Sequence, residues 1–207
     1  MRRAAFTALW LALIVQLGWM GGQWLWGDGP GDKRLYNGII VAAFTALALT
    51  RGRLRWLATT VRVLVGIAFL GSVADRFGLL GPAGAPGVSW GDFDHFIAYT
   101  RSVNAFVPTG WASTLAVLAT GAETILGTLL VVGFRPRHVA TGAALVLLVF
   151  GLAMTFSLGA GAQFDYAVAV LAAGAWALTT IDTGTLRLGR LRLRLPHRRR
   201  STAPARS

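Results

Sequence analysis

Glu123 is the residue whose setting most demands a chemical explanation. It lies near the centre of the apolar run 111–134, where a lipid-exposed charge would cost at least ~2.5 kcal/mol. Ala116, Thr120, Glu123, Thr124 and Gly127 recur at i, i+3/i+4 spacing. On a helix they form one small, polar stripe that turns the carboxyl toward other helices. A carboxyl so placed can serve proton or redox chemistry, which makes Glu123 the candidate catalytic residue. A protonated Glu that only ties helices together is the competing reading. Candidate partners are Asp75 and Arg76 near the outer end of run 57–79, and Thr155 and Ser157 in run 138–158. The spacing from Trp111 puts Glu123 roughly 18 Å along its helix at 1.5 Å per residue, whereas Arg76 belongs near the outer interface. Contact therefore requires Arg76 to reach inward. Without it, the carboxyl is expected to be neutral and hydrogen-bonded across the bundle.

A second group of polar side chains sits in the long connection 81–110. Connections of that length often carry function. It opens on the turn-rich stretch Gly81 to Gly87, and Ser89-Trp90-Gly91-Asp92 then resembles a capping box with Asp in place of Glu. A short amphipathic helix is expected to follow, with Phe93, Phe96, Ile97 and Phe106 on or near one side. Asp94, His95, Arg101 and Asn104 would supply polar contacts. As a lid over an outer cavity, this segment would bring His95 and Tyr99 near a ligand headgroup. As a plain interfacial helix, it would be held down by its aromatics alone.

Other chemistries are excluded by what is missing. The chain has no cysteine, so it has no thiol relay, no thiolate-held iron–sulfur cluster and no disulfide. Its histidines, His95, His138 and His197, show no ligand spacing and none belongs at mid-membrane depth, which argues against a metal or bis-histidine haem site. No phosphate-binding loop, dinucleotide fingerprint or nucleophile elbow is present.

The elements that must position these residues are apolar helices. The chain of 207 residues is 55% hydrophobic and only 14% charged, against about 25% charged in a soluble domain, and its mean hydropathy is +0.59. Its apolar runs reach the ~20 residues that cross ~30 Å of hydrocarbon. Continuous apolarity, rather than alternation, points to helices instead of a barrel. The expected fold is all-α, a polytopic bundle of about six helices near 5–26, 35–50, 57–79, 111–134, 138–158 and 163–182. The first run, behind Arg2 and Arg3, reads alternatively as a signal peptide, although Trp19, Trp24 and Trp26 at its end suit an interfacial belt. Gly66, Gly71, Gly121, Gly127, Gly142 and Gly151 fall inside helices, where small residues permit close packing.

Charge sets the expected orientation. Of the twenty Lys and Arg residues, only Lys33, Arg34, Arg76 and Arg101 fall on one side of this arrangement, together with most of the acids. The positive-inside rule then places both termini in the cytoplasm of a multi-pass plasma-membrane protein. The net charge of +12 is not a nucleic-acid footprint, because no nucleic-acid-binding fold surrounds it. The tail carries Arg187, Arg190, Arg192, Arg194, Arg198, Arg199 and Arg200 among leucines. That pattern suits contact with anionic membrane lipids, with the leucines dipping into the interface.

Three stretches, in order, resemble the DoxX family of small bacterial membrane proteins. They are Gly71-Ser72-Val73-Ala74-Asp75-Arg76-Phe77-Gly78, then Ala122-Glu123-Thr124-Ile125-Leu126-Gly127 followed by Gly133-Phe134-Arg135-Pro136-Arg137, then Gly161-Ala162-Gln163-Phe164-Asp165-Tyr166. Arg76 stands where many members have Lys. The resemblance implies a DoxX-like four-helix domain at 57–182 with the external loop 81–110. Ahead of it are two further helices in 1–56, and behind it the basic tail 183–207. It also implies an accessory subunit of a membrane oxidoreductase or redox-stress system, with a soluble or membrane redox partner and a quinone or lipid-like molecule held among aromatics. A proton-coupled transporter using Glu123, and a scaffold without ligand, remain as alternatives. Candidate ligand or proton-site residues are Glu123, Arg76, Asp75, Thr120, His95 and Tyr99.

Overall fold

The computed structural model describes residues 1–26 and 34–184. The arginines of the tail from Arg187 onward lie outside the described residues. Among the described residues the chain is all-helical, with α1 (Arg2–Trp26), α2 (Arg34–Thr50), α3 (Arg55–Arg76), α4 (Phe93–Val103), α5 (Ala112–Val132), α6 (Pro136–Leu158), α7 (Ala160–Asp165) and α8 (Val168–Thr179). Four helices, α1, α3, α5 extended by the 3-10 turn at Thr109–Trp111, and α6, are long and apolar enough to cross a membrane; α2 and α8 are apolar but shorter. Large apolar side chains such as Leu118, Leu145, Val149 and Phe156 stand on the outside of the bundle.

Two pairings organise the bundle. α3 packs antiparallel on α5, and α6 packs on α8, while α1 lies against α8. Small residues set the first pairing. A Cβ at Gly66 would stand 2.8 Å from the Gly127 carbonyl oxygen, and one at Gly127 would stand 3.0 Å from that of Gly66. Gly142 and Gly151 are likewise contact points, whereas Gly71 and Gly121 face open space.

The last helix departs from the sequence expectation of one continuous run, 163–182. It is broken at Tyr166 and Ala167, where Ala167 takes a left-handed φ of 51°. A break inside an apolar bundle exposes carbonyls that water cannot reach, and each needs a partner. α1 and α2 supply them. The Gln16 side-chain amide donates to the Phe164 carbonyl at 2.9 Å, and that of Asn37 donates to the Asp165 carbonyl at 3.1 Å. Gln16 lies on the same buried face of α1 as Ala5, Leu9 and Leu13. Gln16→Leu is expected to lower stability by about 1 kcal/mol, the net worth of one such bond, read as a lower Tm in mild detergent. Leu17→Ala, on the exposed face, should leave Tm within error; equal Tm for both variants would remove the capping role.

The third helix ends at Arg76, short of the expected 79. Gly78 there adopts φ 70°, with the N–H of Leu79 donating to Ala74 and that of Gly78 to Asp75. This is a glycine-closed helix terminus that satisfies the last carbonyls.

Candidate functional site

The stripe on α5 is largely buried, with Ala116, Thr120, Glu123 and Gly127 facing the bundle and Thr124 outward. Glu123 meets Arg76. Nη2 of Arg76 donates to both carboxyl oxygens of Glu123 at 2.7 Å, and both side chains are 2% exposed. Nη1 donates to Thr120 Oγ1 at 2.8 Å, and Nη2 also reaches Ser72 Oγ at 3.0 Å. Thr120 passes its own hydrogen to the Ala116 carbonyl.

Helix geometry explains how Arg76 reaches inward. From the Gly66–Gly127 contact, Arg76 is ten residues up α3 and Glu123 four residues up α5. Their backbones therefore differ in level by roughly 9 Å at 1.5 Å per residue. Side chains lean toward the N-terminus of their own helix. In an antiparallel pair, Arg76 therefore leans down and Glu123 leans up, and the gap closes. The expectation of a neutral carboxyl without a cation in reach is replaced by a direct ion pair.

The other proposed partners of Glu123 are engaged elsewhere. Asp75 turns away from Arg76 and accepts the backbone N–H groups of Ser89 at 2.8 Å and Gly91 at 3.1 Å, clasping the connection to the end of α3. Thr155 Oγ1 donates to the Gly151 carbonyl, and Ser157 Oγ to that of Val103. The clasp places Trp90 beside the site. Gly91 sits at φ 73° against the backbone of Pro82 and Ala83, where no side chain fits.

α4 starts one residue after Asp92, which caps it by accepting the His95 N–H at 2.8 Å. The capping residue is thus Asp92 and not Ser89, whose N–H is committed to Asp75. The His95 ring pairs with the same Asp92 carboxylate and is 63% exposed, so it lies away from the interior. The His95 N–H holds the Asp92 carboxyl below the ordinary range, with the ring hydrogen bond adding to the effect. Phe96, Thr100 and Val103 form the buried face of α4. Phe106 lies beyond the helix end and is exposed, because the helix stops at Val103 before a turn can bring it round.

Behind α4 is a cavity of about 460 Å³, bounded by α3, α4, α5, α6 and α8, with Tyr36 of α2 also on its wall. Its walls are mostly apolar and aromatic; Arg76, Glu123 and Ser72 form one hydrogen-bonded polar cluster on them, and Tyr36, Tyr99, Thr100, Asn104 and Tyr166 are the other polar lining residues. The Arg76 guanidinium carbon lies 3.6 Å from the Phe96 ring centre and 5.3 Å from that of Trp90. Such contacts favour a desolvated cation. Trp90 is parallel to Tyr166, 6.4 Å between centroids, and tilted against Tyr99 at 5.6 Å. Burial pushes the Tyr99 phenol up, with the neighbouring Tyr166 and Asp165 charges acting in the same direction. At neutral pH it is a hydroxyl donor. The Nε–H of Arg76 is buried and has no partner in the protein, so it is a spare donor beside an apolar chamber of ordinary ligand size.

Of the residues singled out in the sequence, Arg76, Glu123, Thr120 and Tyr99 thus come together. Asp75 supports them through the loop, and His95 does not join them. Ser72, Trp90, Phe96 and Tyr166 complete the site. Ser72 was legible one turn before Arg76 on the same helix face. Tyr166 closes the third family-like stretch, but its place in the site depends on the break before α8. Among the described residues no cluster of His, Cys, Asp or Glu could hold a metal ion. No family model, curated protein or solved structure matches the chain, so the site is read from its own chemistry.

Proposed function

We propose that this chain is a DoxX-like integral membrane protein, an accessory subunit of a membrane oxidoreductase system that holds a quinone or lipid-like molecule. The observation that carries the reading is the buried Arg76–Glu123 pair with a spare Nε–H, set in the wall of an aromatic-lined cavity. The donor set suits a quinone: Arg76 Nε and the Tyr99 hydroxyl can donate to its oxygens, and Trp90, Phe96 and Tyr166 offer flat surfaces to its ring. The bound group would supply the electron chemistry. The chain's own residues bind and orient the head and keep water from it.

A proton-coupled transporter needs a carboxylate free to exchange its proton. Both oxygens of Glu123 are engaged by Arg76, which favours the ligand-holding role. The test is purification in mild detergent followed by mass spectrometry of bound lipids, quinones and proteins. Expected is a substoichiometric to stoichiometric quinone or lipid that is lost in Arg76→Met/Glu123→Leu, together with a redox partner. Proton-driven uptake by the protein in vesicles, with nothing retained on purification, would replace this reading with transport.

The positive-inside asymmetry supports an orientation with both termini in the cytoplasm of the plasma membrane. Reporter fusions at Ala160 and Gly84 are expected to read as extracytoplasmic, and fusions at Arg137 and Ser201 as cytoplasmic. Inversion of any one of these would break the arrangement.

A further inference from the structure

We propose that the cavity receives its ligand sideways, through a slot between α5 and α6, and that the ligand is a single-tailed amphiphile with an uncharged, oxygen-bearing head. This rests on the membrane-embedded, ligand-holding reading above and specifies what the site admits.

The slot is read from which cavity-lining residues are also on the outside. Leu118 on α5 and Leu145 and Val149 on α6 line the chamber, yet are 62%, 58% and 62% exposed. Here the wall is a single layer of side chains, and we place the opening there. The two helices touch lower down, where a Cβ at Gly142 would stand 3.0 Å from Leu126. Above that contact α5 is drawn onto α3 by the Gly66–Gly127 crossing and the Arg76–Glu123 pair, while α6 is drawn onto α8. α4 packs across the top of both α5 and α6, fixed to α6 by the Ser157 hydroxyl on the Val103 carbonyl at 2.7 Å. The opening is therefore lateral and faces the surface that the bilayer covers. On α6 the exposed lining residues, Leu145 and Val149, lie one turn apart, roughly 6 Å along the helix.

Charge decides the head. Arg76 is buried, and its charge is already balanced by Glu123 at 2.7 Å. An anionic head would bring a second negative charge into a low-dielectric site whose only cation is taken, and a cationic head would meet Arg76 itself. An uncharged carbonyl or hydroxyl oxygen can accept the spare Arg76 Nε–H without disturbing the pair. The apolar slot beside it accommodates the tail, which stays partly in lipid and so need not be stripped from the membrane on binding.

The test uses the protein in lipid nanodiscs and a benzoquinone whose decyl tail ends in a photoreactive diazirine. Illumination is expected to label 115–122 of α5 and 145–153 of α6 at least tenfold above the other lipid-facing segments. Excess tailless benzoquinone should suppress that labelling, and decanoate should compete at least tenfold less well. Leu118→Trp/Val149→Trp fills the slot and should reduce the labelling at least tenfold while eluting like wild type. The wild-type label map stands as a test even if that variant misfolds. Suppression by the tailless ring with the label elsewhere, or unchanged labelling in the slot-filled variant, would leave the head site standing and overturn the slot. Equal competition by decanoate would overturn the uncharged head. Failure of the tailless ring to suppress any labelling would remove the head site, and with it the ligand-holding reading.

Discussion

Glu123→Ala and Arg76→Ala should each destabilise the protein by about 3–5 kcal/mol, because each strands a buried charge. The full effect is expected, since both side chains are 2% exposed and, among the described residues, neither makes another ion pair. Glu123→Gln is not a silent change here. Its amide oxygen accepts one hydrogen bond, but its NH2 faces a guanidinium that has lost its counter-charge. Membrane abundance and Tm should therefore fall for Glu123→Gln as well, by less than for Ala. The double variant Arg76→Met/Glu123→Leu separates stability from function. Replacing both members of a buried pair by apolar groups of similar size is often neutral or stabilising. The double variant should recover near-wild-type Tm while losing the retained ligand. Wild-type Tm for both single Ala variants would show that the pair is not buried as described. Ligand retention in the folded double variant would place the site elsewhere.

How far the fold was legible depends on which interaction fixes each part. The long helices were readable because an apolar run of about 20 residues is a statement about composition alone. The partner of Glu123 was readable by type but not by geometry. A depth estimate along one helix axis ignores the opposed lean of side chains on antiparallel helices, which brings Arg76 and Glu123 together. Asp75 was offered beside Arg76, yet consecutive helical residues point about 100° apart at 3.6 residues per turn. One of the two could face α5, and the other had to face the loop. His95 looked like a site residue because it is polar and lies in the long connection, but the Asp92 cap holds it outside. The break at Ala167 carries no Gly or Pro at the break itself. It is stabilised from a distance by Gln16 and Asn37, so nothing local announced it.

The small residues offer the second large effect, and they act with opposite signs. Gly66→Val should cost about 3 kcal/mol, the upper end of the usual overpacking range. The obstacle is the Gly127 carbonyl on the facing helix, at 2.8 Å from the new Cβ, with the Val131 backbone N at 3.1 Å. Backbone cannot rotate out of the way as a side chain can, so α3 and α5 must separate. Gly127→Ala meets the Gly66 carbonyl at 3.0 Å and the Phe69 Cβ at 3.1 Å, and should cost less than Gly66→Val but still destabilise. Gly71 and Gly121 have nothing within 4 Å of the added Cβ. There Ala removes only the backbone freedom of glycine, so Gly71→Ala and Gly121→Ala should raise stability by about 0.5–1 kcal/mol. The separation of α3 and α5 also loosens the Arg76–Glu123 pair, whose backbones stand about one turn (α5) and three turns (α3) above the crossing. Gly66→Val should therefore lose bound ligand at temperatures where Gly71→Ala retains it. Thermal unfolding in mild detergent, with ligand content measured at each step, reads both consequences. If Gly66→Val and Gly71→Ala shift Tm in the same direction, the close α3–α5 crossing is not what positions the site.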